Sequence, residues 1–110
     1  MDLLLAVASE SVAEALAAAM PQYNIHICHT GPEAVELLDA LRPQGLILDL
    51  CLDGLTVLKQ AKHQPQAILA LTDLMTDEVL RQAARAGIQD VVIKPCTAWY
   101  VAERMESLIK

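Results

Sequence analysis

Gly45-Leu46-Ile47-Leu48-Asp49-Leu50-Cys51-Leu52-Asp53-Gly54 decides how this chain is read. An apolar run this short, opened by Pro43 and Gly45 and closed by a carboxylate, reads as a strand buried on both faces. Its last residue, Asp49, then stands at the carboxyl edge of a sheet, where open α/β folds place their ligands and chemistry. Two similar runs end in polar groups. Ala67-Ile68-Leu69-Ala70-Leu71 leads to Thr72, and Val91-Val92-Ile93 leads to Lys94-Pro95. A carboxylate, a hydroxyl and an ammonium at three successive strand ends can converge on one small anionic group.

Working outward, strand and helix patterns alternate. Leu3 to Ala8 reads as a first strand, and Ser9 or Ser11 can cap a helix running to Met20, which Pro21 ends. Tyr23 to His29 alternates and suits a half-exposed edge strand. Thr30 and Glu33 have capping-box spacing ahead of a Val35, Leu38, Leu41 stripe. After the Asp49 strand comes a helix from about Leu55 to Lys62. Thr76 caps a fourth helix that Gly87 stops. Thr97 caps a fifth, with Val101, Met105 and Leu108 turned inward. Five β-α units in a row predict a parallel sheet with right-handed crossovers, an α/β three-layer α/β/α sandwich. The half-exposed second strand predicts strand order 2-1-3-4-5. With 110 residues and no linker or repeat, residues 1–110 read as one domain.

Composition narrows the function. Hydrophobic residues are 55%, yet Phe is absent and aromatics are 3%, so the core must be aliphatic. A net charge of −6 argues against nucleic-acid or anionic-membrane binding. No apolar run is long enough to span a bilayer and no signal peptide is visible, which predicts a cytoplasmic protein. Cys28, Cys51 and Cys96 have no CxxC spacing and read as free thiols. Cys51 and Cys96 follow strand ends and leave a redox pair open. His26, Cys28 and His29 invite a metal reading, but no second ligand cluster appears, and an exposed edge strand accounts for them.

The order Leu48-Asp49-Leu50, Asp53-Gly54-Leu55, Leu71-Thr72, Gly87-Ile88-Gln89-Asp90 and Lys94-Pro95 resembles the receiver domain of bacterial two-component response regulators, over essentially the whole chain. The resemblance implies that Asp49 is the phosphoacceptor, Thr72 the switch hydroxyl and Lys94 the lysine that pairs with the phosphoryl group, with Pro95 cis. It implies a sensor histidine kinase or phosphotransfer protein as donor, and an output domain or partner protein as target. The chemistry is consistent. A carboxylate can attack the phosphorus of a phosphohistidine, and a lysine supplies a point cation for a phosphate oxygen.

The chain departs from that family in three places. Ala8 and Ser9 stand where an acidic pair holds Mg²⁺, with Glu10 one residue late, so Glu10 and Asp49 are the only carboxylate candidates for a metal. Only Leu50-Cys51-Leu52 separate Asp49 from Asp53-Gly54, a shortened loop. Val91 replaces the switch aromatic. These departures imply an atypical receiver with weak or absent Mg²⁺ binding and phosphorylation. An ordinary Asp49-phosphorylated receiver controlling an output such as transcription is the alternative. Asp49 as a simple ion-pair partner of Lys94, and Thr72 as a plain strand terminator, also stay open. A flavodoxin-like enzyme is the remote alternative, but Ala8-Ser9-Glu10-Ser11 lacks the glycine of a phosphate-cradling loop. A catalytic triad is not expected, since no histidine is placed near a strand end of the pocket. The fourth helix, fifth strand and fifth helix are expected to form the partner surface, carrying Arg81, Arg85, Asp90 and Glu103 with Trp99 and Tyr100 at its rim. Basic and acidic residues side by side there would suit a homodimer.

Overall fold

The computed structural model describes residues 1–110. Five strands, β1 (Asp2–Ala6), β2 (Asn24–Cys28), β3 (Gly45–Asp49), β4 (Ala67–Thr72) and β5 (Asp90–Ile93), pair in parallel in the order β2-β1-β3-β4-β5. The helices α1 (Glu10–Ala19), α2 (Gly31–Leu41), α3 (Gly54–Gln60), α4 (Asp77–Arg85) and α5 (Ala98–Ile109) alternate with them. This is the doubly wound order that the sequence predicts.

The sheet divides the core in two. Leu3, Leu5, Ile47, Leu69 and Leu71 face one layer, where they meet Leu16 of α1 and Val101 and Met105 of α5. Leu4, Leu46, Leu48 and Ile68 face the other, against Leu38 of α2, Leu58 of α3 and Ala83 of α4. Alternate residues of a strand point to opposite faces, so runs without polar residues are required where both faces are covered. β3 and β4 are buried at every position.

Side-chain caps set the helix starts. Ser9, Thr30, Thr76 and Thr97 accept from the backbone N–H three residues on. Each satisfies an amide that the helix itself leaves unpaired. The third helix ends at Gln60 rather than Lys62 because Asp39 of α2 captures the next amides. Its Oδ1 accepts from Lys62 N at 2.8 Å and His63 N at 3.0 Å. β1 ends at Ala6, two residues before the expected Ala8, although Val7 N still donates to Cys28 O at 3.1 Å.

Leu5 lies wholly buried on β1, between β2 and β3. Leu5→Ala is expected to lower unfolding free energy by about 2–5 kcal/mol, from lost burial plus a residual cavity. Urea denaturation followed by far-UV circular dichroism measures it.

Candidate functional site

Register places the polar strand ends together. Asp49 pairs across with Leu71, and Thr72 with Ile93, so the ends of β3, β4 and β5 are level. Lys94 N donates to Thr72 O at 2.8 Å, which fixes the start of the lysine beside β4. From there the side chain reaches back over β4. Its Nζ donates to both oxygens of Asp49, at 2.9 and 3.0 Å. The Lys94-Pro95 peptide is cis.

Asp49 is only 2% exposed. Besides Lys94, its Oδ1 accepts from Cys51 N at 3.2 Å. Burial pushes its carboxyl pKa up, but the Lys94 and Cys51 bonds outweigh burial and hold it below the ordinary carboxylate value. Burial likewise works against the Lys94 ammonium, and the bond to Asp49 outweighs it and raises the lysine's pKa. The two shifts describe one ion pair, held charged by mutual contact in a partly dry place.

The structure brings Thr72 to this edge but gives its hydroxyl to the chain. Thr72 Oγ1 donates to Leu74 O at 3.0 Å and accepts from Leu74 N at 3.2 Å. It makes no bond to Asp49 or Lys94. Asp73, the next residue and largely exposed, lies 3.6 Å from Lys94 Nζ and offers the lysine a second carboxylate. Its position directly after Thr72 was the only signal for it in the sequence.

The loop after Asp49 is short because it is tightly wound. Leu50–Leu52 form one 3₁₀ turn capped by Asp49, and Asp53 adopts left-handed φ 58° before α3 begins. A side chain at Gly31 would sit 2.9 Å from Leu52 O, so a glycine at the start of α2 lets this loop lie against it. Cys51 is exposed, and burial followed by its bond to Asp49 raises its thiol pKa. Burial raises Cys96 too, and pushes Cys28 up to about 11. All three thiols are free, and none is shifted toward the reactive thiolate.

At the exit of β1, Ala8, Ser9 and Glu10 are exposed. Ser9 Oγ accepts from Val12 N at 3.3 Å and lies 3.1 Å from Ser11 Oγ. Glu10 is the first residue of α1. Sequence reasoning considered His29 only for a metal and missed its role here: its Nδ1 donates to Val7 O at 2.8 Å. A histidine therefore does stand at a strand end on this edge, tying β2 to β1. Its partner is backbone, which no spacing rule signals.

The expected partner surface is assembled differently from the sequence reading. Asp90 is not free for a partner: Arg104 donates to its two oxygens at 2.6 and 2.7 Å, and to Tyr100 Oη at 3.0 Å. Arg104 was missing from the sequence reading. Arg81 pairs with Glu78 of its own helix at 2.9 Å. Arg85 faces α3 rather than β5. Beside these paired charges, the α4-β5-α5 face also exposes large apolar side chains. Met75, Leu80, Ile93 and Tyr100 are open to solvent there, with Trp99 71% exposed at its rim and Glu103 exposed nearby. A groove of about 520 Å³ lies among Met75, Val91, Ile93, Pro95 and Tyr100, where the small Val91 leaves room.

Doubly wound topology with a carboxylate, a threonine and a lysine at one sheet edge defines a class, and sequence comparison identifies it. Residues 6–106 match the response regulator receiver domain family, and the chain belongs to that family. As such it is a signalling module of two-component systems. Response regulator MprA of Mycobacterium ulcerans is 31% identical over 93 residues, covering 80% of this chain and 40% of that protein. The chain thus spans about two-fifths of the length of the curated relatives it matches. A signal receiver domain from Bermanella marisrubri superposes with a TM-score of 0.78 at 25% identity, covering 99% of this chain and 98% of that one. The BeF3-activated N-terminal receiver domain of Klebsiella pneumoniae RstA gives a TM-score of 0.85, covering 100% and 99%; at 19% identity it shows the fold alone. No helix is long and apolar enough to cross a membrane.

Lys94→Met would leave Asp49 buried without its cation, and a cost of about 3–5 kcal/mol is expected near neutrality. The pH dependence carries the sign. In the wild type Asp49 has a depressed pKa, so its contribution is present above the unfolded carboxylate value and is lost as pH falls through the folded one. In Lys94→Met burial is left to dominate, the pKa rises, and stability falls as pH rises. The stability gap between the two proteins should therefore widen from pH 3 to pH 7 (about the range in which an Asp ionises), as read by urea titrations.

Proposed function

We propose that residues 1–110 act as one receiver unit working through protein contacts, with Asp49 as a phosphoacceptor that is modified weakly and without a dedicated Mg²⁺ site. One observation carries this reading: the donor set around Asp49. Both carboxylate oxygens are bonded to Lys94, and one also takes the Cys51 N–H. Ala6 pairs with Leu48, so the β1 exit lies beside Asp49, and it presents Ala8 and Ser9. Ser9 Oγ is occupied with the cap of α1. Mg²⁺ demands near-octahedral oxygen ligands, with carboxylates supplying its charge. Asp49, already bonded to an ammonium, with the exposed Asp73 on the far side of that ammonium, does not make such a set, and no three His, Cys, Asp or Glu side chains converge anywhere.

Lys94 is then the main cation for the reaction. An Asp49 oxygen attacks the phosphorus of a phosphohistidine, the O–P bond forms as the P–N bond breaks, and the imidazole leaves. Lys94 must turn from the carboxylate to the phosphoryl oxygens as charge moves there. Exchanging an ion pair already made for another yields less than bringing in a new cation, which argues for slow, shallow phosphorylation. An ordinary receiver is the second reading, favoured by the intact Asp49, Thr72 and Lys94 edge. Intact-mass spectrometry after acetyl phosphate or phosphoramidate decides between them. Low occupancy, indifferent to millimolar Mg²⁺ and lost in Asp49→Asn, is expected. Full, Mg²⁺-dependent addition at Asp49 would establish the ordinary receiver.

A histidine kinase or phosphotransfer protein as donor belongs to this reading, as does an output domain or partner protein of the kind a response regulator controls. The contact surface we assign is the apolar α4-β5-α5 face. Exposed ion pairs contribute little, ~0–1 kcal/mol, and Asp90 and Arg81 are already paired, so the affinity must come from Ile93, Met75, Leu80 and Tyr100. Val91 provides no ring to move with Thr72, so the face is fixed. Sedimentation is expected to show a homodimer unaffected by acetyl phosphate and abolished by Ile93→Glu. A dimer that forms only with the phosphodonor, or that survives Ile93→Glu, would remove this assignment.

A further inference from the structure

Of the eight lysines and arginines, Arg81, Lys94, Arg104 and Lys110 have carboxylate partners. Arg42, Lys59, Lys62 and Arg85 have none. In a chain of net charge −6 unpaired cations are scarce, yet two of these four line the same cavity. It measures about 580 Å³ and lies between α3 and α4, and it shares no residue with the Asp49 site. Lys59 comes from the last turn of α3 and Arg85 from the last turn of α4.

The rest of the lining suits a small organic molecule. Leu55, Leu58 and Ala86 give an apolar floor. Gln64 is held across one end by its Nε2, which donates to Leu58 O at 2.9 Å and leaves Oε1 without a partner. Gln82 is similarly half used, its Nε2 donating to Glu78 at 3.1 Å. Gly87 completes the lining beside Gln64, its φ of 88° being the left-handed backbone that favours glycine where α4 ends. The volume falls within the range of small-molecule pockets, ~300–1,000 Å³, and an apolar floor with a few fixed polar groups is their usual composition. A cation in a last helical turn also offsets the helix C-terminal charge. That explains one cation on each helix, but not why both face one apolar-floored cavity.

We infer that the α3–α4 cavity binds a small organic anion, its phosphate-ester or carboxylate group between Lys59 and Arg85 and its apolar body on Leu55, Leu58 and Ala86. Such a ligand would bridge the two helices. This site is independent of phosphorylation at Asp49 and stands whether or not that reading does.

The test is amide chemical-shift titration of the full chain with phenyl phosphate, phenylacetate and neutral benzyl alcohol. Phenyl phosphate should give saturable shifts confined to the segments around Leu55–Lys59 and Arg85–Gly87. Lys59→Gln and Arg85→Gln should each weaken it by roughly tenfold, the loss expected for one hydrogen bond to a charged group. Arg42→Gln removes another unpaired cation at a helix C-terminus, outside the cavity, and should change nothing. Phenylacetate binding as tightly would assign the site to carboxylates as well as phosphate esters. Benzyl alcohol binding equally well, or phenyl phosphate binding unchanged in the Lys59→Gln/Arg85→Gln double variant, would overturn the proposal. All these positions are exposed, and the amide spectrum itself shows that each variant is folded.

Discussion

A carboxylate withdrawn from water at the end of the central strand sets the terms for this protein. Moving such a charge out of water costs several kcal/mol unless a cation and hydrogen bonds replace the solvent. Asp49 closes β3, the cation comes from the end of β5, and β4 lies between them. Adjacent strands are about 4.8 Å apart, so the ammonium must be carried over a whole neighbouring strand. Only a long, flexible side chain does that, and it does so only if β4 and β5 stay in register. The hydrogen bond from Lys94 N to Thr72 O holds that register at the place where it matters. Fold and site are therefore one constraint. The bond that makes a buried Asp49 tolerable is also the bond that occupies it.

That coupling bears on the exit of β1, where Ala8 and Ser9 bring no carboxylate toward Asp49. With several carboxylates at one site, mutual repulsion leaves the lysine shared and a divalent cation welcome. Here Lys94 bonds both oxygens of the buried Asp49 and meets only the exposed Asp73 beyond it, at 3.6 Å. The wound turn of Leu50–Leu52 works in the same direction, since its first free amide is spent on Asp49.

Much of this architecture was legible in the chain. The strands could be read because burial on both faces forces unbroken apolar runs, as in residues 45–48 and 67–71. The helix starts could be read because Ser9, Thr30, Thr76 and Thr97 cap locally, within three residues. Asp49, Thr72 and Lys94 could be placed on one edge because each ends a strand. Contacts set by tertiary placement could not be read. Arg104 takes Asp90 from 14 residues away, and His29 reaches Val7 O across 22. Asp39 shortened α3 from 23 residues upstream, a distance over which sequence pattern has no authority. The bonds of the Thr72 hydroxyl could not be read for a different reason: a hydroxyl has several partners in reach, and here it bonds the backbone of its own loop.

One consequence follows from a core made without phenylalanine and with its single tryptophan outside. Trp99 has little apolar surrounding to lose when the chain unfolds, so its emission is nearly blind to the folding transition. The same indole, standing at the rim of the α4-β5-α5 face, would pass from water into a dry environment when a partner covers it. Nature has left this domain with a fluorophore that reports encounters rather than integrity.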